Sequence, residues 1–167
     1  MALTLRHTIE TDLDTYWGKV FFDEEYNRRL NRDALGFRQF EVVENGEKPD
    51  GTRIRRTKVL PKNEPPAVVK KLIGDAPSLE EGSYDPKTRR YTFKITPHAM
   101  PEKIHISGSV RAEKKGERQI ERIVEVDIKV SIFGVGGVME SFIEKTFKES
   151  YDQGAIFTNK FIAEKGL

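Results

Sequence analysis

The sequence contains no cysteine. The protein can therefore form no disulfide bond, supply no thiolate nucleophile and build no cysteine-ligated zinc or iron-sulfur site. Long apolar runs are missing too, since no stretch approaches the roughly 20 apolar residues that a membrane-spanning helix needs. The first residues, MALTLRHTIETD, lack the apolar core of a secretion signal, so we expect a cytoplasmic protein.

An excess of charge of one sign is also absent. The 29 basic and 27 acidic residues leave a net charge of +2, and no RNA-binding strand motif is present, so we predict no nucleic-acid partner. Basic residues do cluster in TRIRRTK (52–58) and RAEKKGER (111–118), with acidic residues nearby. We interpret both clusters as solvated strand faces and hairpin tips. The alternative is a patch for transient contact with an anionic membrane surface.

Histidines are few, and their spacing does not suit a metal site. They stand at positions 7, 98 and 105, without the i, i+4 or HxH spacing of helix or strand ligands. We predict no metal and no cofactor. His105 alternates to the polar face of its segment, whereas His7 shares a face with Leu3, Leu5 and Ile9. His7 is then either a core residue with a hydrogen-bonded ring or a group that faces a ligand.

Alternation of apolar and polar residues, the pattern of half-buried strands, recurs along the chain. It predicts strands at residues 3–9, FRQFEVVE, GTRIRRTKVLP, RRYTFKIT and a long hairpin, with SLEEGSYD as a further candidate. The hairpin arms, KIHISGSVRAE and RQIERIVEVDIKVSIF, flank a turn at KKGE. An arm of about sixteen residues far exceeds the usual strand of roughly five or six, which implies a strongly curved sheet.

Helical spacing appears after the first strand, in the middle of the chain and at its end. Thr11 or Asp12 can cap a first short helix and Asp23 a second, while PPAVVKKLIGDAP can make one or two turns before Gly74. The spacing predicts a long amphipathic helix over residues 137 to about 164. The residues that share its apolar face are Met139, Phe142, Ile143, Phe147, Phe157, Phe161 and Ile162. The residues opposite them are Lys145, Lys148, Asp152 and Asn159.

Three glycines precede this helix in SIFGVGGVMESF, at 134, 136 and 137. A phosphate-binding loop would need GxxxxGK[ST] or GxGxxG in a strand-helix-strand unit, and neither pattern is present. Glycine lacks a Cβ atom, so it lets a strand turn abruptly and a helix approach a sheet closely. We therefore predict a joint that folds the helix back across the sheet.

The order of elements is one strand, two short helices, a run of antiparallel strands and one long helix. This order resembles the α+β helix-grip fold of the START-like superfamily, which includes the birch-pollen allergen family and polyketide cyclases. YWGKVFFDEEYNRRL and DALGFRQFEVVE also resemble the helix pair and second strand of a bacterial branch named only as a domain of unknown function. The resemblance covers nearly the whole chain and implies one domain, 1–167, whose curved sheet wraps around the C-terminal helix.

The resemblance further implies a cavity between sheet and helix for a hydrophobic ligand such as a lipid, sterol or polycyclic metabolite. Within the helix, the small residues Thr146, Ser150, Gly154 and Thr158 recur every four positions on the apolar face. They would either leave a groove for a ligand or allow close packing on the sheet without any void. The residues that we predict to contact the ligand are Phe142, Ile143, Phe147, Ser150, Gly154, Phe157, Phe161, Tyr91, Phe93, Ile106, Val126, Trp17, His7 and Arg122.

Arg122 is unusual, because alternation places it on the apolar face of Ile120, Val124 and Val126. Its guanidinium would either reach water at the end of the strand or hold a ligand carboxylate or phosphate. The favoured function is noncatalytic ligand binding. The alternatives are a cyclase- or hydrolase-type enzyme that uses His7, Arg122 or a carboxylate such as Glu140, and a protein-interaction module whose cavity is collapsed.

Overall fold

A computed structural model describes all 167 residues. Seven strands form the sheet: β1 Ala2–Ile9, β2 Gln39–Glu47, β3 Arg53–Leu60, β4 Ser78–Asp85, β5 Arg90–Thr96, β6 Ile104–Gly116 and β7 Gln119–Val130. The helical stretches are α1 Leu13–Thr15, the π-helical turns Tyr16–Val20, α2 Glu24–Arg28, the π-helical turns Arg29–Ala34, α3 Ala67–Ile73 and α4 Gly136–Lys165. This is the predicted α+β helix-grip fold.

The sheet is antiparallel throughout, in the spatial order β1-β7-β6-β5-β4-β3-β2. From β2 to β7 each strand pairs with the next strand along the chain, whereas β1 pairs with β7, so that Ala2 lies opposite Asp127. The alternation in the long hairpin predicts that its apolar residues share one face, and Ile104, Ile106 and Val110 on β6 are buried accordingly. Val124, Val126, Ile128 and Val130 on β7 are buried as well.

The short helices begin where the sequence predicts. The Oδ1 atom of Asp12 accepts a hydrogen bond from the Thr15 backbone N–H at 2.8 Å, and Asp23 accepts one from Tyr26 at 2.8 Å. Both side chains satisfy amide groups that lack an acceptor in the first helical turn. The helix in PPAVVKKLIGDAP is also present and ends before Gly74. No helix combines the length and the hydropathy that a membrane span requires.

The turn of the long hairpin lies two residues later than KKGE predicts. The β6 strand continues through Gly116, and the chain reverses at Glu117 and Arg118. The ladder is irregular between Lys114 and Gly116, where a bulge inserts an extra residue. A bulge shifts the pairing without ending the strand. Lys114 and Lys115, which the sequence predicted to be in the turn, therefore belong to β6.

The joint before α4 needs glycine at two of its three positions. Gly134 has a φ of +82°, in the left-handed region that favours glycine. A Cβ atom at Gly136 would lie 2.8 Å from the Val130 carbonyl oxygen, whereas one at Gly137 would meet no atom within 4 Å. The predicted role of the segment as a joint is confirmed.

The polar side of α4 lies opposite its apolar face as predicted, and Asp152 is exposed, but Asn159 is half-buried against the end of β1. The helix makes its closest approach to β1 and β7, so its flank reaches the outer edge of β1. The Asn159 amide donates to the Thr8 carbonyl at 3.0 Å and its Oδ1 accepts from the Glu10 N–H at 2.8 Å. Lys145 and Lys148 are exposed as predicted.

Candidate functional site

A cavity of about 290 Å³ lies between the concave face of the sheet and α4. Of the 40 residues that line it, 22 are hydrophobic. Because α4 packs against β1 and β7 at one side of the sheet, the cavity lies under the strands farther from that edge. It has the apolar walls and the few polar groups that are typical of small-molecule sites.

Eight of the fourteen predicted ligand-binding residues line this cavity. They are Phe142, Ile143, Phe147, Ser150, Gly154, Tyr91, Ile106 and Arg122. Their positions follow from the two periodicities of the sequence, inward alternation on the strands and spacing of three or four on α4. The ligand itself remains a prediction.

The other six predicted residues lie outside the cavity because they pack against neighbouring elements. Phe157 and Phe161 contact the ring of Tyr26, at centroid distances of 6.0 and 5.3 Å. Trp17 packs on Tyr84 at 4.8 Å, and its indole Nε1 atom is buried without a hydrogen-bond partner.

Phe93, Val126 and His7 complete this group. The Phe93 ring stacks on Phe147 at 6.4 Å, and Val126 is buried in the sheet opposite Leu3. His7 lies on the flank where β1 meets α4. A pattern of alternation identifies an inward face, but it does not separate core residues from cavity residues on that face.

Arg122 is buried, with only 4% of its surface exposed, so its guanidinium does not reach water at the strand end. Its Nη2 atom donates to the Tyr151 carbonyl at 3.1 Å and lies 3.3 Å from His7 Nδ1. The Nε atom has no partner, and the guanidinium carbon lies 5.1 Å from the centre of the Tyr151 ring. The sequence allowed the Arg122 guanidinium either to reach water at the strand end or to lie inside the cavity, and the structure places it inside.

Arg55 is a second arginine in the cavity, and the sequence analysis did not select it. Its guanidinium carbon lies 5.1 Å from the ring centres of both Phe21 and Tyr91. Its hydrogen bonds are long, 3.5 Å to the Phe21 carbonyl and 3.4 Å to Asn27 Oδ1, and both start from Nη1. The Nε atom is buried without a partner.

Glu80 supplies a carboxylate to the same cavity. Its Oε1 atom accepts a hydrogen bond from the Tyr91 hydroxyl at 3.3 Å. Tyr91 can approach β4 closely because Gly82 lies beneath its ring, where a Cβ atom would overlap the Tyr91 hydroxyl. Gly82 is also the cross-strand neighbour of Arg55, so one glycine accommodates the contact between ring and guanidinium.

Four tyrosines that line the cavity, at positions 16, 26, 91 and 151, have hydroxyl groups that stay protonated. Burial raises the pKa of each above its ordinary value of 10, although the positive charge of Arg122 opposes this at Tyr16, Tyr26 and Tyr151 and that of Arg55 opposes it at Tyr91. These groups are therefore neutral hydrogen-bond donors at physiological pH.

The hydrogen bonds of His7 determine which ring nitrogen carries the proton. Because Arg122 can only donate, its contact makes Nδ1 the acceptor, so the proton is on Nε2, which lies 2.7 Å from Asp152 Oδ1. His7 thus connects a buried arginine to a carboxylate on α4. This arrangement corresponds to the core alternative for His7 and holds the Arg122 side chain in place.

The stripe of small residues on α4 divides into two parts. Thr146, Ser150 and Gly154 line the cavity. The Thr158 hydroxyl donates to the Gly154 carbonyl at 2.6 Å, so the Tyr26 hydroxyl must be the donor in its 2.7 Å contact with Thr158. Groove and close packing, stated as alternatives, both occur along this stripe.

Glu140 and the TRIRRTK cluster, which the sequence analysis also named, make contacts within the fold. Glu140 Oε1 accepts a hydrogen bond from the Val130 N–H at 3.0 Å, at the end of β7, and it does not line the cavity. The cluster TRIRRTK alternates between the two faces of β3, so Arg55 lies inside while Arg56 pairs with Glu44 and Glu81 outside. No group of three or more histidine, aspartate or glutamate residues is placed to hold a metal ion.

Solved structures share this fold at low sequence identity. Norcoclaurine synthase from Thalictrum flavum, a point mutant in complex with a transition-state analogue, matches with a TM-score of 0.68 at 14% identity, over 100% of this chain and 96% of that chain. A START superfamily protein from Mycobacterium smegmatis matches with a TM-score of 0.60 at 11% identity, over 98% and 97%. The Zhui aromatase/cyclase from Streptomyces sp. R1128 matches with a TM-score of 0.56 at 10% identity, over 99% and 92%.

These likenesses confirm the predicted START-like fold, and at such identities they say nothing of the ligand or reaction. No curated protein sequence is significantly similar to this chain. The sequence profile of one family, described as protein of unknown function (DUF2505), matches residues 4–162. The match spans nearly the whole chain and agrees with the predicted branch, so the protein belongs to the DUF2505 family.

Proposed function

We propose that this protein binds a hydrophobic small molecule noncatalytically in the cavity between the sheet and α4. The observation that carries the proposal is the cavity itself, about 290 Å³ in volume with 22 hydrophobic residues among the 40 that line it. Protein interiors are normally packed to crystal-like density, whereas the mainly apolar walls of this open cavity lack packing partners on one side. A bound apolar molecule would recover the lost contacts.

The test is to purify the protein, extract it with organic solvent and identify the extracted compounds by mass spectrometry. Titration with N-phenyl-1-naphthylamine, an uncharged dye that fluoresces in apolar surroundings, measures access to the same cavity. We expect a hydrophobic compound in the extract, dye binding at one site, and displacement of the dye by the extracted compound. An empty extract together with no dye binding would disprove the proposal.

An enzymatic function is the second candidate, and the contact between Glu80 and Tyr91 favours it. A carboxylate and a neutral hydroxyl 3.3 Å apart in a cavity could exchange a proton with a bound substrate. Two of the similar structures are a synthase and an aromatase/cyclase by name. If the extracted compound is recovered chemically altered after incubation, and Glu80→Gln abolishes the change while binding persists, the protein is an enzyme.

A further inference from the structure

The charges that face the cavity do not balance. Its lining contains three arginines, at 38, 55 and 122, against the acids Asp75 and Glu80. Arg38 is paired with Asp75 at 2.7 Å, whereas Arg55 and Arg122 form no salt bridge. Two cations therefore remain beside one carboxylate, and that carboxylate already accepts a hydrogen bond from Tyr91. The polar part of the cavity has an excess of positive charge.

The two unpaired guanidinium groups also have unused donors. A guanidinium has five N–H groups in one plane, and the hydrogen bonds that each arginine makes start from a single Nη atom. The Nε atoms of both are buried without a partner. The Nε atoms of Arg53 and Arg56 on β3 are also buried without a hydrogen bond, but neither residue lines the cavity, and Arg56 is paired with Glu44 and Glu81. Buried polar groups in native proteins are nearly always hydrogen-bonded, so the two orphans that belong to cavity-lining arginines without a salt bridge point to an acceptor that the protein itself does not supply.

Aromatic rings do not remove this need. Arg55 lies over Phe21 and Tyr91, and Arg122 over Tyr151, with guanidinium carbons about 5 Å from the ring centres. A ring contacts the face of the guanidinium, while hydrogen-bond acceptors approach the N–H groups along its edge. Contact with a ring therefore does not replace the in-plane acceptors that the remaining N–H groups of each arginine require. The hydroxyls of Tyr16 and Tyr91 lie near Arg122 and Arg55, whose charge and hydrogen bonding oppose the rise that burial causes in the pKa of each hydroxyl, but a neutral hydroxyl does not balance a positive charge.

From this geometry we infer that the ligand of the cavity is an anionic amphiphile, whose carboxylate, phosphate or sulfonate group is held by Arg55 and Arg122 while its apolar part contacts the hydrophobic lining. The inference rests on the proposed function and narrows its ligand to one chemical class. An anion accepts in-plane hydrogen bonds from a guanidinium and offsets the cost of burying unpaired positive charge.

Two dyes that differ by one group test the inference. N-phenyl-1-naphthylamine is uncharged, and 8-anilinonaphthalene-1-sulfonate adds a sulfonate to the same ring system. We expect Arg55→Gln and Arg122→Gln each to weaken binding of the sulfonate dye by about tenfold or more, as for the loss of a charge-assisted hydrogen bond. Binding of the uncharged dye should change by less than about threefold, because apolar contact is retained.

The matched control is Arg56→Gln. Arg56 adjoins Arg55 on β3, carries the same charge and pairs with Glu44 and Glu81 on the outer face. This variant should bind both dyes as the wild-type protein does. If Arg56→Gln weakens binding of the sulfonate dye as much as Arg55→Gln does, the loss comes from the change in overall charge and the inference fails. If Arg122→Gln does not fold, Arg122→Lys can replace it, since lysine keeps the charge with fewer hydrogen-bond donors. Its affinity for the sulfonate dye should lie between those of the wild type and Arg55→Gln.

Displacement of the uncharged dye from the wild-type protein tests the class without any variant. Dodecanoate, dodecyl phosphate and dodecanol share one chain and differ in the head group. Stronger displacement by either anion than by the alcohol supports the inference, and the better anion identifies the head group as carboxylate or phosphate. Equal displacement by dodecanol overturns the inference but leaves the proposed function intact, whereas no binding of the uncharged dye together with an empty extract defeats the proposed function itself.

Discussion

Gly154 lies in the middle of α4 and lines the cavity. A Cβ atom there would lie 3.6 Å from Leu30 Cδ1, an ordinary contact, so Gly154→Ala fits without strain. We expect Gly154→Ala to raise the free energy of unfolding by about 0.5–1 kcal/mol, because glycine destabilises a helix interior by that amount. Urea denaturation of both proteins without ligand measures the change.

Gly154→Leu at the same position should occupy the cavity. We expect it to abolish binding of N-phenyl-1-naphthylamine while stability is at least that of the wild type, with Gly154→Ala as the matched control that still binds. A well-packed site would instead lose about 1–3 kcal/mol on such an enlargement. Loss of stability in the leucine variant, with no dye binding by any of the three proteins, would show that no ligand cavity exists.

His7 holds Arg122, so its replacement has a calculable cost. His7→Leu removes the acceptor of a buried N–H group, and we expect the free energy of unfolding to fall by about 1–3 kcal/mol in urea denaturation. The control is Asp152→Asn, which changes only the exposed partner and should cost no more than about 1 kcal/mol. Equal stability of His7→Leu and the wild type would mean that this hydrogen bond contributes nothing.

Single residues show where sequence reasoning succeeds and where it stops. Arg122 could be selected because it interrupts an apolar face, which is a visible anomaly. Arg55 could not be selected on the same ground, since its face on β3 begins with Arg53 and becomes buried only at Thr57 and Val59. The available signal was the shared alternation of Arg55 with those two residues. Orphaned Nε atoms and stacked rings depend on rotamers, which no sequence pattern specifies.

The glycines between β7 and α4 determine how closely the start of α4 can approach the sheet. Gly136→Ala would bring a Cβ atom to 2.8 Å from the Val130 carbonyl, so the start of the helix must shift away from the strand. We expect a loss of about 1–3 kcal/mol in the free energy of unfolding, as for other overpacked sites. Gly137→Ala meets no atom within 4 Å and should be neutral or slightly stabilising. Equal stabilities of the two variants would contradict this account.

Among the elements, long periodic segments were predictable and local irregularities were not. The β6–β7 hairpin and α4 were identified because a buried face repeats over many residues. The bulge between Lys114 and Gly116 displaced the turn, and π-helical turns follow α1 and α2 without any marker in the sequence. The stripe of small residues on α4 was compatible with a groove or with close packing, and the resemblance in fold favoured the cavity, because its volume depends on the distance between helix and sheet.

The whole molecule should respond to alkaline pH through its tyrosines. The chain has five, and burial raises the pKa of every one above its ordinary value of 10. A group whose pKa is higher in the folded state gives stability that is present below pH 10 and is lost as the pH rises further, because the unfolded chain releases its protons first. We therefore expect the free energy of unfolding to fall above pH 10.

Absorbance of tyrosinate at 295 nm checks this expectation. In the native protein it should rise at a higher pH than in the unfolded chain and together with the loss of tertiary structure. The control is the same titration in concentrated guanidinium chloride, where all five tyrosines should titrate near pH 10. Tyrosinate formation near pH 10 in the native protein would contradict the buried positions described here.

The pairing of β1 with β7 sets the order in which the chain can assemble. Every other pair joins strands that are neighbours in sequence, so those ladders close short loops, whereas Ala2 must find Asp127 across more than a hundred intervening residues. During synthesis β1 and the helix pair leave the ribosome long before their partners exist. The cavity acquires its last wall only when α4 packs on the sheet, so a complete cavity exists only at the final stage of folding.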